Sequence, residues 1–136
     1  MTDEEEDPLE RIVADKDAVD RERLAGAIEG IVNVDNDSGE VIVRPGYHNL
    51  DNKPKFVARL LARRAAFELD FIDESEVGAS SGEFAARMDP SDSTIQNYGS
   101  LDFVDNDEEH GGYYIPGHSI ELAIDYLDQA KDDSDE

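Results

Sequence analysis

The sequence predicts an α+β, mainly helical fold built as one small domain. Three observations predict it. The chain has 136 residues, a length that favours one core over two. Apolar residues recur at helical spacing in several segments. Two further stretches carry β-branched or aromatic runs on either side of Asn, Asp and Gly turns, the pattern of a hairpin.

Residues 1–10 and 131–136 read as disordered acidic tails, because TDEEED and Asp132-Asp133-Ser134-Asp135-Glu136 are same-sign blocks with nothing to bury. Residues 11–50 read as an N-terminal helix plus a β-hairpin extension. From Asp17 to Glu29, Val19, Leu24, Ala27 and Ile28 predict a weakly periodic helix ending near Gly30. Ile31-Val32-Asn33-Val34 and Glu40-Val41-Ile42-Val43 flank Asp35-Asn36-Asp37-Ser38-Gly39 and predict the hairpin. That turn resembles the opening of a calcium loop. Such a loop needs Gly at its sixth position and Glu at its twelfth, which here are Glu40 and Gly46, so a plain turn is expected.

Residues 51–130 hold the main body. The clearest helix runs from Pro54 to Leu69, with Asn52 as its cap and Pro54 in its first turn. Phe56, Val57, Leu60, Leu61, Ala65 and Phe67 form its apolar face. Lys55, Arg59 and Arg63 fall four apart on another face, with Arg64 adjacent and Lys53 just before. Ser80 and Glu83 form a capping-box pattern that opens a short helix through Met88, with Phe84, Ala85 and Met88 directed inward. Asp89-Pro90 breaks it, and Ser91 caps a second short helix with Ile95 and Tyr98 inward and Gly99 at its end. Leu101-Asp102-Phe103-Val104 and Tyr113-Tyr114-Ile115 read as strands joined by Asp105 to Gly112. Tyr113 and Tyr114 alternate across the second strand, which puts one in the core and one outside. In a last helix, Ile120, Ala123, Ile124 and Leu127 make a stripe that either seals the core or forms a homodimer contact.

The charge balance is extreme, with 35 acidic against 12 basic residues and a formal net charge of −23. Asp outnumbers Glu, Arg outnumbers Lys, and lysine occurs only at Lys16, Lys53, Lys55 and Lys131. Self-repulsion of this size opposes folding. At multimolar salt the Debye length falls to about 3 Å and only near neighbours repel. The composition therefore predicts an acidic, halophilic protein adapted to a salt-rich cytoplasm, which requires monovalent cations and salt for stability. No apolar run reaches the ~20 residues of a membrane span and no secretory leader is evident, so a cytoplasmic location is expected.

The order helix, short helix, tight turn, short helix, two-stranded hairpin, helix is that of a winged helix-turn-helix. Glu83-Phe84-Ala85-Ala86-Arg87-Met88 followed by Ser91-Asp92-Ser93-Thr94-Ile95 resembles the E-[LF]-A-x-R-[LM]…S-x-S-T-[VI] signature of archaeal winged-helix regulators. Gly111-Gly112-Tyr113-Tyr114-Ile115-Pro116 resembles the returning wing strand of small haloarchaeal winged-helix proteins. The resemblance spans roughly Lys53 to Asp128. It implies a transcriptional regulator of a halophilic archaeon, or of its virus or plasmid, that binds double-stranded DNA without a cofactor.

On that resemblance, the second short helix would lie in the major groove. Ser91, Ser93, Thr94, Gln96, Asn97 and Ser100 would face the DNA, since Gln and Asn can bond adenine through two atoms and hydroxyls can bond base or phosphate. Lys53, Lys55, Arg59, Arg63 and Arg64 would contact phosphate or an acidic partner. The sequence departs from the family pattern at Gly99-Ser100-Leu101-Asp102, where the recognition helix should continue, and at the acidic wing tip DNDEEH. Those departures suit an alternative in which the scaffold is a non-enzymatic protein–protein interaction module. An enzyme is not expected. His48, His110 and His118 lack metal-ligand spacing, and neither a phosphate loop nor a nucleophile elbow is present.

Overall fold

The computed structural model describes residues 21–88 and 90–134, so the expected tail over 1–10, the Asp17 start of the first helix and Asp89 lie outside the described residues. Helix α1 (Arg21–Ile28) buries Leu24, Ala27 and Ile28. Strands β1 (Val32–Val34) and β2 (Val41–Val43) pair antiparallel, with Val32 opposite Val43 and Val34 opposite Val41. The connecting turn engages its own acid. Asp35 accepts the N–H groups of Ser38 and Asp37 at 2.8 and 3.1 Å and the Ser38 hydroxyl at 2.9 Å. These bonds, the Ser38 N–H first, hold the Asp35 carboxyl below its usual range.

A one-turn helix, α2 (Pro45–His48), follows where the sequence signalled none; Pro45 opens it and Tyr47 is buried. Helix α3 (Asn52–Glu68) is the axis of the molecule. Its N-cap is Asp51 rather than Asn52. Asp51 is extended, and its carbonyl accepts the Lys55 N–H at 3.0 Å, so Asn52 is already helical. At the other end, Asp70 takes a left-handed φ of 66° while the Phe71 and Asp70 N–H groups return to the carbonyls of Ala66 and Phe67. This double closure ends α3 one residue before Leu69.

The sequence predicts one apolar face on α3, but burial extends further round it. Phe56, Val57, Ala58, Leu60, Leu61, Ala62 and Ala66 are all essentially inaccessible, whereas Ala65 and Phe67 are half-buried. A helix buried around most of its girth must be wrapped by other elements. Here α1, β1, β2, α5, β4 and α6 pack on it. Leu24, Ile28 and Val32 belong to the same core cluster as Ile95 and Leu127, so the expected extension over 11–50 shares its core with the main body.

A 3-10 turn (Glu74–Glu76) leads to α4 (Ser81–Arg87) and α5 (Asp92–Tyr98). Strands β3 (Asp105–Asp107) and β4 (Gly112–Tyr114) form the second antiparallel hairpin. This corrects the expected strand over Leu101–Val104. Phe103 and Val104 are consecutive and both buried, which a strand with alternating faces does not provide. They are carried on a turn closed by the Val104 N–H to the Leu101 carbonyl at 3.0 Å. The strand starts one step later, in the acidic run.

A second 3-10 turn (Gly117–Ser119) precedes α6 (Ile120–Ser134). Of the two roles open to Ile120, Ile124 and Leu127, they take the core role, each at most 2 % exposed. The expected tail over 131–136 is corrected as far as Ser134, which is helical. Lys131 anchors this end by donating to the carbonyls of Ala27 and Gly26 at 3.0 and 3.4 Å, at the C-terminus of α1. Arg23 ties the same two helices through Glu121 and Asp125. Among the described residues, no helix is long and apolar enough to cross a membrane.

Candidate functional site

The residues singled out from Ser80 to Ser100 form a pair of short helices around a corner. Ser80 caps α4, its hydroxyl accepting the Glu83 N–H at 3.2 Å; Ser91 caps α5 by accepting the Thr94 N–H at 3.4 Å. Met88 is extended, with φ −132° and ψ 160°, so α4 stops there and the chain turns through Pro90.

One aromatic side chain fixes this pair to the rest of the molecule. The Phe56 ring of α3 meets Phe84 of α4 at 5.0 Å, Tyr98 of α5 at 5.7 Å and Tyr113 of β4 at 6.4 Å. Edge and tilted contacts of this kind favour a fixed mutual orientation beyond simple area burial. Ile95, fully buried, pins α5 from the same side. Gly99 lets the end of α5 lie against Tyr113, where a Cβ would fall 2.2 Å from the ring.

The opposite face of α5 is exposed at Ser93, Gln96 and Asn97. Ser91, Ser93 and Thr94 form a hydroxyl cluster at its start, with Ser91 Oγ 3.2 Å from Ser93 and 3.1 Å from Thr94. The Gln96 amide reaches Ser81 Oγ at 3.4 Å, and Ser100 Oγ donates to the Asn97 carbonyl at 2.7 Å. The result is a neutral ridge of hydroxyl and amide groups, with Ser91, Ser93, Gln96, Asn97 and Ser100 at the surface and Thr94 half-buried.

The β3–β4 hairpin gains a third strand-like segment from the approach to α4. Ala79 exchanges both backbone hydrogen bonds with Tyr113, at 2.8 and 3.1 Å, and the Gly78 N–H donates to the His110 carbonyl at 2.6 Å. The middle of β4 is thus paired on both sides. The tip is locked by His110, whose ring stacks on Tyr114 at 3.9 Å and whose Nδ1 lies 2.7 Å from Asp107. The His110 hydrogen bond, ahead of other causes, holds the Asp107 carboxyl below its usual range. Burial, with Asp107 and Asp105 adding, pushes the Tyr114 hydroxyl up to about 12. The expectation that one of Tyr113 and Tyr114 is exposed is corrected: Tyr113 is half-buried on Phe56 and Tyr114 is covered by His110. Asp105, Asn106, Asp107, Glu108 and Glu109 are all exposed, which leaves an acidic outer edge.

The expected basic stripe is not one surface. Lys53 is exposed, while Lys55 is half-buried with its ammonium 5.3 Å from the Tyr47 ring centre. Arg59 is buried and donates from Nε to the Tyr47 hydroxyl at 2.9 Å. Arg63 donates to the carbonyls of Glu76 and Gly78 at 2.7 and 3.1 Å. Arg64 pairs with Glu68, four residues on in the same helix, at 2.8 Å. The physical reason is the burial of α3, which turns even its polar positions towards neighbouring segments. Burial pushes the Arg63 guanidinium below its ordinary value; nearby Glu83 opposes this and Arg87 adds to it. Sequence reasoning missed Arg87, which joins Arg59 and Arg63 from another helix and so leaves no spacing signal.

The chain matches no protein-family model, no curated protein and no solved structure.

Proposed function

We propose that the chain is a winged helix-turn-helix regulator that reads double-stranded DNA with α5. The observation that carries the reading is the capped α4–α5 pair: Ile95 lies in the core while Gln96 and Asn97, its neighbours in sequence, face outward. The pairing of Ala79 with Tyr113 supports the wing, since it joins the segment before the helix pair to the hairpin after it. On this reading Gln96 and Asn97 bond base edges, and the hydroxyls of Ser91, Ser93 and Thr94 bond bases or phosphate. Ser100 lies beyond the helical end and contacts backbone at most.

Few cations support α5. Lys53 and Lys55 lie in the first turn of α3, and the three arginines after them are engaged with the protein itself. Counterion release therefore contributes little, and the logarithmic dependence of affinity on salt should have a slope of about −2 or shallower. In a salt-rich cytosol, where such release gains little, neutral donors suit recognition.

The test is binding to genomic DNA fragments in molar KCl, for the parent and for Gln96→Ala with Asn97→Ala. The parent is expected to select particular sequences, and the double variant to lose roughly 5–150-fold per bidentate contact. Absence of selective binding by the parent ends this reading. Selective binding that ignores the double change assigns recognition to another surface.

A second reading is favoured by the acidic edge Asp105–Glu109, which would repel phosphate at contact distance. On it, the same scaffold is a non-enzymatic module that binds a basic protein partner. Pull-down by a basic peptide array, lost on Asp105→Asn with Glu108→Gln, would distinguish it.

A further inference from the structure

We propose that the cleft between α3, α4 and the β1–β2 hairpin is a binding site for the phosphoryl group of a small soluble molecule, held by Arg59, Arg63 and Arg87. The cleft has a volume of about 220 Å³, and Glu40 and Glu83 stand at it beside the three arginines. That size is below the ~300 Å³ at which drug-sized ligand pockets begin, and it suits a single compact anion.

These guanidinium groups make their hydrogen bonds within the protein to uncharged oxygens. Arg59 donates to the Tyr47 hydroxyl and, at 3.4 Å, to the Arg87 carbonyl. Arg63 donates to the Glu76 and Gly78 carbonyls, and Arg87 to the Glu83 carbonyl at 3.3 Å. Every one of these acceptors is neutral. Among the described residues, none of the three forms an ion pair with a carboxylate, although acids outnumber bases 35 to 12 in the chain. Arg23, Arg64 and Lys131 have such partners and, among the described residues, Arg21, Arg44, Lys53 and Lys55 do not, but only Arg59, Arg63 and Arg87 line one cleft together. Arg63 Nε is moreover buried with no hydrogen-bond partner, an arrangement that folded proteins seldom leave.

Three like charges brought together repel one another. Arg87 and Arg59 act on Arg63 in this sense, after the larger effect of burial and against the opposing attraction of Glu83 and Glu76, of which Glu83 outweighs either arginine. A dianion placed among them relieves that repulsion and accepts several charge-assisted bonds from planar forks already fixed by carbonyls and Tyr47. Glu40, brought by the N-terminal hairpin, limits the affinity and disfavours ligands of higher charge. The hairpin thereby acquires a role as one wall of the site. The site does not depend on whether α5 binds DNA.

Isothermal titration with inorganic phosphate and, separately, with glycerol 3-phosphate tests this in molar KCl without DNA. Saturable 1:1 binding of either is expected, and the tighter of the two identifies the source as free phosphate or a phosphate ester. Arg87→Gln, an exposed position, should weaken binding at least ~10-fold, the factor carried by a lost charge-assisted bond. Glu40→Gln should strengthen it several-fold, and Arg44→Gln, outside the cleft, should leave it unchanged. Circular dichroism of each variant establishes folding. No saturable binding, an Arg87→Gln affinity equal to the parent's, or equal losses in Arg87→Gln and Arg44→Gln overturns the proposal.

Discussion

Replacing Ile95 by Ala tests the orientation of α5, on which its exposed ridge depends. Ile95 is fully buried, between the caps of a helix that spans only Asp92–Tyr98. Removing three carbon atoms from such a site loses transfer free energy and leaves a cavity, together about 2–5 kcal/mol for Ile→Ala. For a domain of this size each kcal/mol moves Tm by roughly 3–6 °C, so a fall of roughly 6–30 °C is expected. The next residues predict the opposite. Gln96 and Asn97 are exposed, and each Ala replacement should change stability by no more than ~0.5 kcal/mol. Urea unfolding in molar KCl, followed by circular dichroism, measures all three variants on one scale. If Ile95→Ala costs under 1 kcal/mol, or if Gln96→Ala costs more than it, α5 is rotated relative to this description and the ridge argument fails.

The hairpin seam gives a second test. A Cβ at Gly78 would lie 2.6 and 2.8 Å from the carbonyl oxygens of Tyr113 and His110, whereas one at Gly82 meets nothing closer than 3.9 Å. Gly78→Ala should destabilise by ~2 kcal/mol or more, and Gly82→Ala should be neutral or stabilising by up to ~1 kcal/mol; thermal melts that reverse this order refute the seam. Tyr114 predicts an alkaline limit: its folded pKa of about 12 exceeds the unfolded 10.0, so its contribution is full below pH 10 and lost as pH rises through 12. Tyr114→Phe should flatten stability over that window, and an identical pH profile for parent and variant would contradict the assignment. Asp107 works in the other direction, since its depressed pKa makes the His110 lock complete above 3.8 and lost as pH falls through the lower folded value; an NMR titration of Asp107 at or above 3.8 would count against the lock. Finally, a net charge of −23 predicts unfolding on dialysis from molar to millimolar KCl, as the Debye length grows from about 3 Å to beyond 10 Å. A cooperative melting transition at the same temperature in both would exclude salt dependence.

The chain's own order determined those features that arise from local chemistry or side-chain period. Ser80 and Ser91 announced two helix starts because a cap needs only a side-chain oxygen a few residues from the N–H it accepts. The hairpin over Val32–Val43 was equally legible, since its turn and both runs are contiguous. Apolar spacing likewise marked Ile120, Ile124 and Leu127. What tertiary structure alone decided involves partners distant in sequence. Asp105–Asp107 is a strand because β4 supplies its backbone bonds, although none of its side chains is buried. Ala79 joins that hairpin through backbone groups that every residue type possesses, so its composition carried no sign of it. Arg59 and Arg63 read as part of a stripe open to phosphate or an acidic partner because their spacing records only the helix that bears them. Whether a guanidinium meets water, a carbonyl or another arginine depends on what folding brings against that face, and here it brought α2, α4 and the segment around Gly78.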